Sequence, residues 1–213
     1  MENAMTHRPL RILGLAGSLR RASWNRRLLQ SAALLAPPGV TMEVCDTLSS
    51  VPLFDEDLEL ATAPDGPPGV QALRAAIAAA DGLVIATPEY NHALPGVLKN
   101  ALDWLSRESP QGQVLADLPV AVLGASSGPW GTRLAQASLR QVLHTCGALV
   151  MPSPTLFVAH ADTRFGAQGE LSDPTLQASL SRFMESFAGW VRRFETRSSR
   201  DADDVDEGLR CRA

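Results

Sequence analysis

The sequence predicts an α/β fold built on a parallel sheet, and three observations predict it. Short apolar runs alternate with longer amphipathic segments along most of the chain. The short runs are apolar on both faces, as strands covered by helices on each side must be. The chain has 213 residues, 45% of them apolar, which is enough for one domain with a full core.

The first strand is Leu10–Ala16, LRILGLA, and it ends in a Gly/Ser turn. A helix follows over 24–35, with Leu28, Leu29, Ala32, Ala33 and Leu35 on one face and Ser23 placed to cap it. Val40, Met42 and Val44 alternate, which gives a second strand over 40–45. A Pro- and acid-rich stretch over 49–66 reads as a long loop. Pro67 and Pro68 then open a helix carrying Val70, Leu73, Ile77 and Ala80. GLVIAT over 82–87 is the third strand, and Pro95-Gly96 opens a helix to about Arg107 with Leu98, Leu102 and Leu105 aligned. PVAVLGA over 119–125 is the fourth strand. The helix over 131–146 has one row of Leu134, Ser138, Val142 and Cys146, and beside it Ala135, Leu139 and Leu143. A fifth strand lies within 149–158, kinked by Pro152 and Pro154. The last helix, about 174–194, aligns Leu176, Leu180, Phe183, Phe187, Trp190 and Phe194. Five strands favour the order 2-1-3-4-5, a flavodoxin-like three-layer sandwich, over a six-stranded sheet. The domain spans 10–196, between a flexible tail at 1–9 and a charged, disordered tail at 197–213.

Composition narrows the function. A net charge of −4 argues against nucleic acid as a partner. Three widely spaced cysteines, Cys45, Cys146 and Cys211, suggest no disulfide framework, so a reducing compartment, the cytoplasm, is expected. The apolar run at 10–16 is broken by Gly14 and is too short for a signal sequence or a membrane span. His144 and Cys146 stand two apart on a helix without a second cluster, so no metal site is expected.

Sheets of this kind bind ligands at the carboxyl ends of their strands, which points to the loops after strands one, three and four. The first, GSLRRASWN at 17–25, runs into a helix N-terminus and offers Ser18, Arg20, Ser23 and Asn25. Backbone N–H groups, hydroxyls and a guanidinium there suit an anion. The only Lys is Lys99, far from this loop, so a Walker loop is excluded; the GxGxxG pattern of dinucleotide folds is also missing. A monophosphate fits best, and FMN is the monophosphate cofactor this fold carries. The second loop, TPEYNHALPG at 87–96, holds Tyr90, the only Tyr, and can give a flavin ring both polar edges and an aromatic shelf. The third, ASSGPWG at 125–131, has small residues that admit a planar ligand, with Ser126 and Ser127 as hydrogen-bonding groups. Its G-x-S-x-G match is not a hydrolase elbow, because no acidic residue lies between Ser126 and His160, the last His.

GSLRRASWN at 17–25, PEYNHALPGVLKNALDW at 88–104 and SSGPWGTR at 126–133 resemble, in order and spacing, the NADPH-dependent FMN reductase family across about 10–195. The resemblance implies that Ser18, Arg20, Ser23 and Asn25 hold the FMN phosphate. It implies that Pro88, Glu89, Tyr90 and Asn91 line the isoalloxazine ring and that Ser126 and Gly128 meet its other edge. NADPH or NADH would be co-substrate, and the acceptor a small molecule: flavin, quinone, azo compound or chromate. A ping-pong hydride mechanism follows, with no catalytic side chain named, since the flavin carries the chemistry. The family also implies a homo-oligomer, dimer or tetramer, with the flavin near the subunit interface and the helix of Leu98, Leu102 and Leu105 contributing to it. His92-Ala93 stands where members often carry Tyr or Ser, which bears on acceptor choice. The alternative is a flavodoxin-type electron carrier or FMN-binding module without NAD(P)H turnover, for which the mild charge is a poor fit.

Overall fold

The computed structural model describes the backbone of residues 8–210 and the side chains of residues 8–194. Most of the expected 1–9 tail, and Cys211, therefore lie outside the described residues. The elements are β1 (Leu10–Ala16), α1 (Trp24–Leu34), β2 (Val40–Cys45), α2 (Glu56–Ala61), α3 (Pro68–Ala78), β3 (Gly82–Ala86), α4 (Gly96–Leu105), β4 (Pro119–Ala125), α5 (Arg133–Thr145), β5 (Leu149–Val150), β6 (Leu156–Val158) and α6 (Pro174–Arg210). The expected charged tail from 197 falls on the far part of α6, beyond the described side chains.

The strands run parallel in the order β2-β1-β3-β4-β5, with β6 also on β4. β5 and β6 are two pieces of one edge strand. Leu149 and Val150 pair with Pro119 and Val120, and Leu156–Val158 pair with Leu123–Ala125. The Met151 N–H still donates to the Val120 carbonyl at 2.8 Å; residues 152–155 then leave the ladder, where Pro152 and Pro154 supply no N–H.

Alternation along the central strands divides the core into two layers. Ile12, Val84, Ala121 and Leu123 pack under α1 and α6, against Leu28, Leu29, Phe183 and Phe187. Leu13, Leu15, Leu83, Ile85, Val120 and Val122 pack under α3, α4 and α5. Leu98, Leu102 and Leu105 are buried in this second layer, so the inner face of α4 belongs to its own sheet. In α5 the buried row is Ala135, Leu139 and Leu143; Leu134 of the neighbouring row is 52% exposed.

The stretch over 49–66 is more ordered than a loop. It holds a 3₁₀ turn at Thr47–Ser50 and the short helix α2. Asp55 caps α2 by accepting the Asp57 N–H at 2.9 Å, and Glu56, Asp57 and Glu59 favour its N-terminal dipole. No α2 residue is fully buried, which is why hydrophobic periodicity gives no sign of it. Asn100 and Trp104 of α4 fasten this stretch: Asn100 accepts the Phe54 N–H, and both side chains donate to the Pro52 carbonyl.

Candidate functional site

The carboxyl edge of the sheet brings the loops after β1, β3 and β4 together. β1 and β3 are neighbours there, with the Gly17 N–H bonded to the Ala86 carbonyl at 2.8 Å. A Cβ on Gly17 would come within 3.0 Å of Leu98 and 3.3 Å of both Pro88 and the Ala86 carbonyl, so a larger residue would have to push these neighbours apart by a few tenths of an ångström.

The first loop is built as a donor cluster. Ser18 and Ser23 are buried, and both hydroxyls accept backbone N–H groups, from Arg20 at 3.3 Å and Arg26 at 3.4 Å. Their own O–H groups stay available to donate. Among the described residues, the N–H groups of Leu19, Arg21, Ala22, Trp24 and Asn25 meet no acceptor, and neither Arg20 nor Arg21 is in an ion pair. Arg26 is engaged with Asp46. Asn25 differs from its neighbours: its amide nitrogen donates to the Ala125 carbonyl and its oxygen accepts the Ala125 N–H, both at 2.9 Å. Its side chain therefore fixes the start of α1 to the end of β4, and its backbone N–H remains in the donor cluster.

The second loop turns sharply. Tyr90 and Ala93 exchange backbone hydrogen bonds of 3.1 and 3.0 Å, and Asn91 and His92 between them have φ of 50° and 63°. Asn and His tolerate that left-handed backbone better than most residues. Pro88 is buried, whereas Tyr90 is 53% exposed. Glu89 points away along the edge: one carboxylate oxygen accepts the Leu134 and Ala135 N–H groups at 2.9 and 3.0 Å.

In the third loop the Ser126 hydroxyl donates to the Gly131 carbonyl at 2.8 Å and its N–H to the Val158 carbonyl, so Ser126 closes the loop. Gly128 faces open space; a Cβ there would meet nothing nearer than the Ser126 hydroxyl at 3.7 Å. Leu19, Trp130 and Leu134 join Tyr90 as exposed apolar side chains on this edge. Sequence reasoning assigned no role to these three. The signal for Trp130 was a large aromatic directly after Gly-Pro in a loop joining strand to helix.

A cleft of about 550 Å³ opens elsewhere, beside α2, α3 and the end of α4. Buried Arg74 lines it, donating to the carbonyls of Asp65 and Trp104 at 3.0 and 2.8 Å, with burial lowering its pKa. None of the three loops reaches this cleft, whose other lining guanidinium, Arg107, is paired with Glu59. Among the described residues no helix is long and apolar enough to cross a membrane.

The model of the NADPH-dependent FMN reductase family matches residues 10–163. An NAD(P)H-dependent FMN reductase of Pseudomonas aeruginosa is 42% identical over 184 residues, covering 86% of this chain and 96% of its own. A 2-hydroxy-1,4-benzoquinone reductase of a Burkholderia species is 40% identical, covering 86% and 97%. In structure, the flavoenzyme NAD(P)H:(acceptor) oxidoreductase FerB of Paracoccus denitrificans superposes with a TM-score of 0.76 at 30% identity, covering 86% of this chain and 98% of that one. With the sheet order, the three loops and these relatives in agreement, the chain belongs to the NADPH-dependent FMN reductase family.

Proposed function

We infer that this protein, an NAD(P)H-dependent FMN oxidoreductase by family, seats the cofactor phosphate on the loop entering α1 and lays the ring system across the tips of β3 and β4. The observation that carries this reading is the donor set of residues 18–25. Two hydroxyls, unpaired guanidinium groups and a run of N–H groups without acceptors surround one helix N-terminus. That set fits a dianionic phosphomonoester, and the open space at Gly128 fits a planar group beside it.

Held by these loops, FMN would supply hydride and electron transfer between NADPH or NADH and an acceptor using the same place in turn, a ping-pong order. The chain's own residues bind and orient. Ser18 and Ser23 donate hydroxyl hydrogens to the phosphate, Arg20 supplies charge, and Asn25 contributes its N–H while holding β4 in place. Pro88, Tyr90 and Asn91 present backbone and an aromatic shelf to the rings, with Glu89 bracing them. Ser126 shapes the loop that brings Gly128 to the opposite edge. No side chain serves as nucleophile or general base.

The exposed apolar rim of Leu19, Tyr90, Trp130 and Leu134 favours a flat apolar acceptor of the quinone class over a metal oxyanion. The Burkholderia relative, named for a benzoquinone, supports that choice. We place the protein in the cytoplasm as a dimer or tetramer with the flavin near a subunit interface. Since the inner face of α4 is taken by the sheet, Leu34, Leu53 and Leu60, 87%, 81% and 76% exposed, are the large apolar side chains outside the rim, among the described residues, left for a second copy to cover.

The test is spectroscopic. Protein given FMN acquires the visible bands of bound flavin, NADPH bleaches them without oxygen, and a quinone restores them. Arg20→Ala and Ser23→Ala each weaken FMN binding by about tenfold, the scale of one hydrogen bond to a charged group. Undiminished binding in both variants removes the phosphate site.

A further inference from the structure

We propose that Glu89 is a positioning residue, one that caps α5 from a distance and so fixes the loop after β3 to the loop after β4 at the spacing FMN requires. The proposal rests on the flavin reading above and assigns Glu89 no contact with the flavin.

α5 begins at Arg133 without a cap of its own. Its N-cap residue, Thr132, makes no capping hydrogen bond with its side chain and no acidic residue lies in the first turn. Thr132 is buried and its hydroxyl instead accepts the Gln136 side-chain amide at 3.1 Å. The two N–H groups a cap would serve, those of Leu134 and Ala135, both donate to a single Glu89 oxygen. The other oxygen lies 3.5 Å from His92 Nδ1. A carboxylate 45 residues earlier in the chain thus supplies the missing cap. Its negative charge also interacts favourably with the positive, N-terminal end of the α5 dipole.

The position of this contact gives it consequence. Glu89 lies between Pro88, packed against the first loop, and the Tyr90–Ala93 turn. Leu134 and Ala135 lie in the first turn of α5, with Thr132 and Arg133 between them and the 125–131 loop. The Glu89 carboxylate is therefore a direct polar tie between the two loops that flank the ring site. The Trp130 loop is held from its far side, where the His160 N–H donates to the Gly128 carbonyl and the Ala161 N–H to the Ser126 carbonyl at 3.1 and 3.0 Å; Glu89 ties the side that faces the Tyr90 turn.

Both N–H groups use the same oxygen, so an amide can replace the carboxylate without losing either bond. In Glu89→Gln the oxygen keeps the cap, and the amide nitrogen takes the place facing His92, whose imidazole can accept from it. Glu89→Ala removes the cap altogether. Hydrogen exchange on the cofactor-free protein reads the cap directly, and flavin fluorescence quenching reads its effect on FMN. The Leu134 and Ala135 amides should lose protection in Glu89→Ala and keep it in Glu89→Gln. FMN should bind about tenfold more weakly to Glu89→Ala and within about threefold of wild type to Glu89→Gln. The visible spectrum of bound FMN should change in the Ala variant and return in the Gln variant. Wild-type FMN affinity in Glu89→Ala overturns the proposal, whether or not protection is lost. Equal weakening in both variants overturns it as well, because charge rather than tethering would then be at work. Failure of the wild-type protein to take up FMN would remove the flavin reading itself, a result separate from either.

Discussion

Asn25 and Gly128 show how differently single residues at this edge contribute. Asn25 is 2% exposed, and its amide gives Ala125 both a donor and an acceptor, extending the sheet edge into a side chain. Asn25→Ala leaves the Ala125 N–H and carbonyl buried without partners, which costs about 1–3 kcal/mol each before relaxation. We expect a thermal midpoint lower by roughly 10 °C, and weaker FMN binding because α1 loses its tie to β4. Asn25→Asp keeps an acceptor but loses the donor, so it should recover part of the stability at most. Differential scanning calorimetry of the two variants checks this; an Ala variant as stable as wild type would leave the amide pair without energetic weight. Gly128 has no such structural duty, since a Cβ there meets ordinary contact distances. Gly128→Ala should leave stability unchanged and act only on the space beside the ring.

Elements meet at the site through close approaches that a sequence does not display. β4 touches the start of α5 at Gly124, where a Cβ would sit 2.1 Å from the Thr132 hydroxyl and 2.3 Å from the Thr87 carbonyl. The Thr87 carbonyl is backbone and cannot rotate aside, so Gly124→Ala must move β3, β4 or α5. That strain should lower the urea midpoint by the equivalent of about 3 kcal/mol, against no change for Gly128→Ala four residues on. Equal urea midpoints for the two variants would refute the crowding. The strands and long helices were legible in the sequence because each carries a strong apolar period: Leu10–Ala16, Val40–Cys45 and Pro119–Ala125 fall where the pattern places them. α2 was not, because Leu58 and Leu60 on six residues make no buried stripe and only the Asp55 cap marks it. The site residues were legible as types, not as roles. Asn25 pairs with a residue 100 positions away and Glu89 with residues 45 and 46 positions away, distances at which spacing carries no information.

Across the whole molecule the two edges of the sheet do different work: the carboxyl edge holds the site, and the amino edge holds the chain together through charge. There Asp81, just before β3, accepts two bonds from the Arg8 guanidinium at 3.0 and 2.6 Å and the Arg11 N–H at 2.7 Å. Burial pushes the Asp81 carboxyl upward, but the bonds and charges of Arg8 and Arg11 outweigh it and leave its pKa below the ordinary value of 3.8. A carboxylate depressed in the folded state binds a proton more readily when unfolded, so stability falls with pH where the unfolded chain gains that proton first. The Asp81 contribution is therefore fully present above about pH 4 and is lost as pH drops through the lower folded value. Asp81→Asn should destabilise the protein by a constant amount from neutral pH down to about 4, and the difference should shrink below that. Urea unfolding of both proteins at several pH values reads the gap directly. A gap that stays constant to pH 2.5, or one that widens on acidification, would mean that the Arg8–Asp81–Arg11 cluster does not couple β1 to β3 through ionisation.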